Sequence, residues 1–136
     1  MLVERWVADS SMKLFTVEEA NALLPSVREI LQRIQHSRRR LGAYRHHAKL
    51  AAEGAEQGGG GMANGAHYAT ILTNFTEEMS ELEDLGVQLK DFDRGLVDFP
   101  SLRDGRVVLL CWQLGEGDEL EWWHDMDTGF GGRTPL

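Results

Sequence analysis

A chain of 136 residues, 42% hydrophobic and 26% charged, fits one domain able to bury a core without staples. Its formal net charge of −8 excludes a general nucleic-acid binder, which needs a basic surface for phosphates. A single cysteine, Cys111, excludes an internal disulfide and fits a reducing, cytoplasmic location, while no apolar run reaches the roughly eighteen residues of a membrane span.

Residues 1–11 lack the charged-then-apolar layout of a signal peptide and share no periodicity with the rest of the chain. They read as an irregular N-terminal extension to one α+β domain over 12–136. Thr16-Val17-Glu18-Glu19 is a capping box: Thr16 can accept the third helical N–H and Glu19 can reach back. A short helix over about 17–24 is expected to stop at Leu24-Pro25, since proline disfavours helix at the residue before it. Pro25 then suits the first turn of a second helix over about 25–53. In that helix Val27, Ile34, Leu41 and Ala48 recur every seven residues, with Ile30, Ser37, Tyr44 and Ala51 as the companion row. Such a stripe predicts helix–helix packing, weakened midway by Ser37 and the alanines.

Residues 54–65 are too rich in glycine to stay helical, and without a following Lys-Ser or Lys-Thr they read as a flexible loop rather than a phosphate cradle. A third helix over about 66–85 places Tyr68, Leu72, Phe75, Met79 and Leu82 on one stripe. Glu77, Glu78, Glu81, Glu83 and Asp84 fall mostly off it, and Gly86 stops it. The two long helices form an antiparallel hairpin.

Beyond Gly86 the apolar period becomes two, predicting strands over about 87–90, 96–100, 106–114 and 119–124 in a three- to four-stranded antiparallel meander. A two-residue turn at Asp104-Gly105 sets Phe99 opposite Leu110, Val97 opposite Trp112 and Asp98 opposite Cys111. A four-residue loop at 115–118 sets Cys111 opposite Trp122 and Leu109 opposite His124. One face then holds Val97, Phe99, Val108, Leu110, Trp112 and Trp123. The other holds Leu96, Leu102, Val107, Leu109, Cys111, Leu120 and Trp122 with Asp98 and His124. A one-residue change in the second loop would swap Trp122 and His124 with Trp123. Since both faces are apolar and the hairpin can cover only one, a second copy is the expected cover, giving a homodimer.

Chemistry concentrates in Trp122-Trp123-His124-Asp125-Met126-Asp127. Asp98 and His124 share a face, with Asp125 and Asp127 just past the strand end. A histidine with carboxylates can bind a divalent metal ion or move protons, so His124 and Asp98 are the catalytic candidates and His124, Asp98, Asp125 and Asp127 the metal candidates. The competing reading is a histidine at the edge of an aromatic core. Asp91-Phe92-Asp93-Arg94-Gly95 and Asp125-Met126-Asp127-Thr128-Gly129 share a D-x-D-x-G pattern, which reads as turn chemistry because the further ligands of a calcium loop are missing. Arg38-Arg39-Arg40 with Arg45, His46 and His47 is a basic patch, read as solvated or paired with the acidic third helix. Cys111 reads as a buried, inert thiol.

Phe15-Thr16-Val17-Glu18-Glu19-Ala20-Asn21-Ala22-Leu23-Leu24-Pro25 opens a set of elements that continues through Lys90-Asp91, Gly95 to Pro100, Leu109 to Trp112 and Leu114-Gly115-Glu116. It ends with Trp123-His124-Asp125, Gly129-Phe130 and Gly132-Arg133. Together these resemble a small bacterial family catalogued as domain of unknown function 2203. The resemblance implies one intact domain and no particular activity; Arg133, among its elements, is the candidate for a phosphate or other anionic ligand. The leading expectation is a non-catalytic cytoplasmic interaction or assembly module, and the alternative is a metal- or phosphoryl-ligand-binding enzyme.

Overall fold

The capping box forms at Thr16: the Glu19 amide donates to Thr16 Oγ1 at 3.0 Å, and the Thr16 amide donates to Glu19 Oε1 at 2.9 Å. These bonds hold the Glu19 carboxyl below the usual carboxylate range, the Thr16 backbone bond contributing most. The computed structural model describes residues 12–55 and 65–136; the extension over 1–11 and residues 56–64 of the glycine-rich loop lie outside the described residues. Helix α1 spans Val17–Ala55 and α2 Gly65–Asp84. The strands are β1 Gln88–Asp91, β2 Leu96–Arg103, β3 Arg106–Gln113, β4 Trp122–Asp125 and β5 Thr134–Pro135, with a 3-10 turn at Phe130–Gly132.

The expected break at Leu24-Pro25 is absent, and α1 runs through Pro25 as one helix of 39 residues. Proline removes one backbone bond and crowds the carbonyl four residues back. Packing outweighs that cost. Ala20, Leu24, Val27, Leu31 and Ile34, at alternating four- and three-residue steps, are at most 1% exposed on both sides of the proline.

The hairpin row on α2 also differs from the sequence pattern. Ile71, Glu78 and Leu82 are buried, whereas Leu72 is exposed. Glu78 faces α1 because Ser37, the polar residue in the α1 stripe, donates its hydroxyl to Glu78 Oε1 at 2.7 Å. Two residues that each weaken an apolar stripe thus satisfy one another. Across the hairpin Arg33 pairs with Glu81 at 2.8 Å, while Arg38 of the basic patch pairs with Asp93 at 3.7 Å in the β1–β2 turn. Gly86, at φ 88°, ends α2, and the Val87 amide donates back to the Leu82 carbonyl.

The fold is α+β: the two helices pack together and precede one five-stranded antiparallel sheet in the order β1-β2-β3-β4-β5. Its central registers are those expected from the turn lengths. Val97 lies opposite Trp112, Asp98 opposite Cys111, Phe99 opposite Leu110, Leu109 opposite His124 and Cys111 opposite Trp122. Asp104 (φ 52°) and Gly105 (φ 79°) both take the left-handed conformation of the tight turn between β2 and β3.

The strands depart from expectation most at β2 and β4, and a further strand is added. β2 continues past Pro100 to Arg103, with Pro100 still opposite Leu109. β4 begins at Trp122 instead of Glu119, because the Leu120 amide donates to Asn21 Oδ1 of α1 at 2.7 Å. β5 adds an edge of two residues, too short for any alternation to announce it. The D-x-D-x-G echo proves to be turn geometry. The Arg94 amide donates to Asp91 Oδ1 at 3.1 Å, and Gly95 (φ 61°) and Gly129 (φ 66°) both adopt positive φ.

The core lies between the hairpin and one sheet face, where Val97, Phe99, Leu110 and Trp112 meet Leu24, Val27, Leu31 and Ile34. Phe15 meets Phe99 edge-to-face at 5.4 Å, and Trp123 packs at the margin of the same core. The opposite face is buried as well: Leu96 is 7% exposed and Leu109 2%. The burial is confined to the middle of that face, since Leu102 toward its end is 57% exposed.

Candidate functional site

Strand alternation sends Asp98 of β2, Cys111 of β3 and His124 of β4 to the sheet face away from the helices. Asp98 and Cys111 are directly opposed, and His124 lies diagonal to Cys111, two residues along β4 from its partner Trp122. All three are buried, at 2%, 1% and 3% exposure. His124 Nε2 lies 3.0 Å from Asp98 Oδ1, reaching across β3. One potential ligand atom from each of the three residues falls within 4.8 Å of the other two.

The hydrogen bonds around His124 fix its proton inventory. Nδ1 is 2.7 Å from the Asp125 carbonyl oxygen, which can only accept, so Nδ1–H donates. A neutral ring in that tautomer turns the lone pair of Nε2 toward a carboxylate oxygen. Two acceptors at 3.0 Å repel unless something positive lies between them. At hydrogen-bond distance that contact calls for a proton between the two atoms. Cys111 is the third member: burial first, then the neighbouring Asp98 charge, push its thiol up to about 12, so in this state it keeps its proton. A thiol held neutral in this way is no nucleophile.

An ion pair lies beside this cluster. The Arg133 guanidinium stacks between Trp122, at 5.0 Å, and Phe130, at 4.6 Å, and pairs with Glu116 Oε1 at 2.8 Å. The same Glu116 oxygen accepts the Gln113 amide at 2.8 Å, and Arg94 stacks on Phe130 at 4.1 Å. Arg133 and Phe130 thereby bring the C-terminal segment against the face that carries the cluster, before Thr134 and Pro135 pair with β4 as the edge strand. Surface hollows near Ser101, Gly86 and Arg39 are lined by other residues.

Of the residues singled out in the sequence, Asp98 and His124 meet. Asp125 does not join them: its side chain takes the opposite face and pairs with Arg106 at 3.0 Å, while only its carbonyl reaches His124. Asp127 is exposed beyond the strand end. Arg133 is committed to Glu116 and the two aromatic rings. The missed residue is Cys111, which the sequence pattern presents as an inert core thiol. The register that sets Asp98 opposite it is the signal that could have found it. Trp122 and Trp123 point to opposite faces, one under Arg133 and the other at the helical core.

The model of the family described as "Uncharacterized conserved protein (DUF2203)" matches residues 13–136. The chain belongs to that family. The family match covers both helices, all five strands and every residue of the Asp98–Cys111–His124 cluster. Neither a curated protein nor a solved structure matches the chain.

Proposed function

We propose that this protein binds a divalent transition metal of the zinc class through Asp98, Cys111 and His124. The observation that carries this reading is the convergence of a carboxylate, a thiol and an imidazole from three adjacent strands, each buried, with donor atoms within 4.8 Å of one another. Tetrahedral zinc with its usual bond lengths spaces such donors about 3.3–3.6 Å apart, so small adjustments would close the set around an ion. A thiolate with an imidazole favours zinc-like ions over magnesium or calcium, which prefer all-oxygen shells. The ring is also oriented as a ligand: Nδ1–H donates to a backbone carbonyl, the usual outer partner of a metal-bound histidine, so that Nε2, now against Asp98 Oδ1, is the nitrogen that would coordinate. Three protein donors leave a fourth position for water or a small ligand.

The test is element analysis of protein purified without an affinity tag, followed by cobalt substitution. One metal per chain, and a cobalt–thiolate charge-transfer band that vanishes in Cys111→Ser, is the expected result. Absence of stoichiometric metal after dialysis against zinc, or equal binding by a Cys111→Ala/His124→Ala double variant, would overturn the reading. A thiol ligand and the lack of any possible disulfide support a reducing, cytoplasmic setting. Among the described residues no helix is long and apolar enough to cross a membrane.

Self-association is the second reading, and its support moves from the sheet to the helices. Beyond Ser37 no described residue of α1 is buried, yet Leu41 and Tyr44 continue the stripe half-buried, and Leu50 and Leu72 are 52% and 43% exposed. An apolar stripe of this kind suits a homodimeric helical contact. Sedimentation showing only monomer at tens of micromolar would remove it.

A further inference from the structure

We infer that residues 126–136 form a displaceable strap over the Asp98–Cys111–His124 cluster, and that Arg133 is the side chain that holds the strap closed. The inference gives the proposed metal site its entry path and rests on that reading for its purpose. A metal site at 1–3% exposure needs such a route, because an ion cannot reach ligands that never open to water.

The strap and the cluster under it contrast sharply in anchoring. No residue from Met126 to Leu136 is buried, and none in the Phe130–Gly132 turn. Most of its backbone hydrogen bonds are local: the Thr128 amide donates to Asp125, Gly132 to Gly129 and Arg133 to Phe130. Toward the rest of the fold it offers the Leu136 amide to the Glu121 carbonyl and the two-residue pairing of β5, where Pro135 has no N–H to give. Segments with few buried contacts and few long-range backbone bonds open at a small fraction of the global unfolding free energy. Arg133 is the exception within the strap. Its side chain is only 11% exposed, stacked between two rings and paired with Glu116 beside the end of β3. Gly129, at φ 66°, and Gly131 supply positions about which the backbone can swing.

Cys111, the only thiol in the chain, reports on this opening. The experiment is the rate at which Ellman's reagent labels metal-free full-length protein, wild type against Arg133→Gln, with Arg33→Gln on the helical hairpin as control. Loss of a stacked, ion-paired arginine should raise the labelling rate roughly tenfold in Arg133→Gln. The control should stay near the wild-type rate. Equal rates in wild type and Arg133→Gln, or a rise matched by Arg33→Gln, would overturn the strap. Native-state hydrogen exchange on the wild type is independent of any variant's folding. The amides of Gly132, Arg133 and Leu136 should exchange far faster than those of β3, and exchange of both sets only with global unfolding would likewise overturn it. Adding zinc separates the two ideas. If zinc fails to slow labelling of Cys111, the metal reading falls while the strap stands.

Discussion

The two faces of the sheet are both buried at their centres and are built on different principles. Toward the helices, Val97, Phe99, Leu110 and Trp112 are at most 1% exposed, wholly apolar, and clamped by the long-helix stripe from Ala20 to Ile34. Away from the helices, the residues sealed nearly as fully include Asp98, Cys111 and His124 beside Leu109, next to a C-terminal segment with no buried residue of its own. The first face is the ordinary solution to burying surface, with close-packed apolar side chains and few polar atoms, such as Trp112 Nε1, which donates to the Gly117 carbonyl at 2.9 Å. The second buries an acid, a thiol and an imidazole, groups that are expensive to dehydrate. Stability alone does not call for them, since well-packed apolar residues in place of a buried polar pair are often neutral or better. The contrast sets an apolar scaffold toward the helices against the face that carries the proposed metal site.

The largest effects should come from one truncation on each face. Phe99→Ala removes a ring that packs against Phe15 and should lower stability by about 3–5 kcal/mol through lost transfer energy and a cavity. Asp98→Ala should lower it by a similar amount, roughly 3 kcal/mol, for another reason: His124 is left buried with Nε2 unpaired. Denaturant titration with Asp98→Leu/His124→Leu distinguishes the causes. The apolar pair should recover most of the loss from Asp98→Ala. If it recovers none, the polar pair is structural and the contrast between the faces collapses.

Metal addition ranks next. Zinc at about a hundred times its dissociation constant should stabilise the wild type by roughly 2.7 kcal/mol, seen as a rise of several degrees in Tm that a chelator reverses. A milder scaffold variant such as Phe99→Leu should keep that increment, since it touches no ligand. His124→Ala and Cys111→Ala should lose it. An equal increment in all of them would mean the ion binds elsewhere.

How far the chain disclosed this arrangement differs between the faces for a physical reason. Apolar period and turn residues are local signals, so the hairpin, the tight turn at Asp104-Gly105 and the registers of β2, β3 and β4 were legible. Once those registers stood, the meeting of Asp98 with His124 followed. Three features were not legible because long-range contacts decide them. Pro25 sits inside a helix because burial on both sides overrides its local preference. Glu78 is buried because Ser37 waits for it on the other helix. β4 starts late because Asn21, 99 residues earlier, takes the Leu120 amide. Cys111 is an intermediate case: its position was readable, but its chemistry depends on Asp98, without which it would be another small core residue.

Cys111 also predicts a pH response specific to its face. Its folded thiol titrates near 12 against 9.0 for the unperturbed group, so below about pH 9 neither folded nor unfolded chain loses this proton and the stability is intact. Between pH 9 and 12 the unfolded chain ionises first, and metal-free stability should fall by about 1.4 kcal/mol per pH unit from this residue. Denaturation midpoints for Cys111→Ala should decline less steeply over that window. Parallel curves for the two proteins would show that the buried thiol is not what limits alkaline stability.

The smallest effect tests the finest distinction, that between the backbone and the side chain of Asp125. The sequence offers its carboxylate as a metal ligand, yet that carboxylate lies on the other face, 37% exposed and paired with Arg106. An ion pair this open contributes less than about 1 kcal/mol. Asp125→Ala should therefore cost little stability. It should also leave zinc stoichiometry and the cobalt–thiolate band unchanged, because the carbonyl that orients His124 survives the substitution. Calorimetric zinc titration of Asp125→Ala beside His124→Ala puts the two neighbours on one scale. A variant that binds like the wild type assigns the metal to the strap-facing side alone. One that loses zinc as completely as His124→Ala would place the ion at the strand end, with the carboxylate turned inward, and would dissolve the division of labour between the faces.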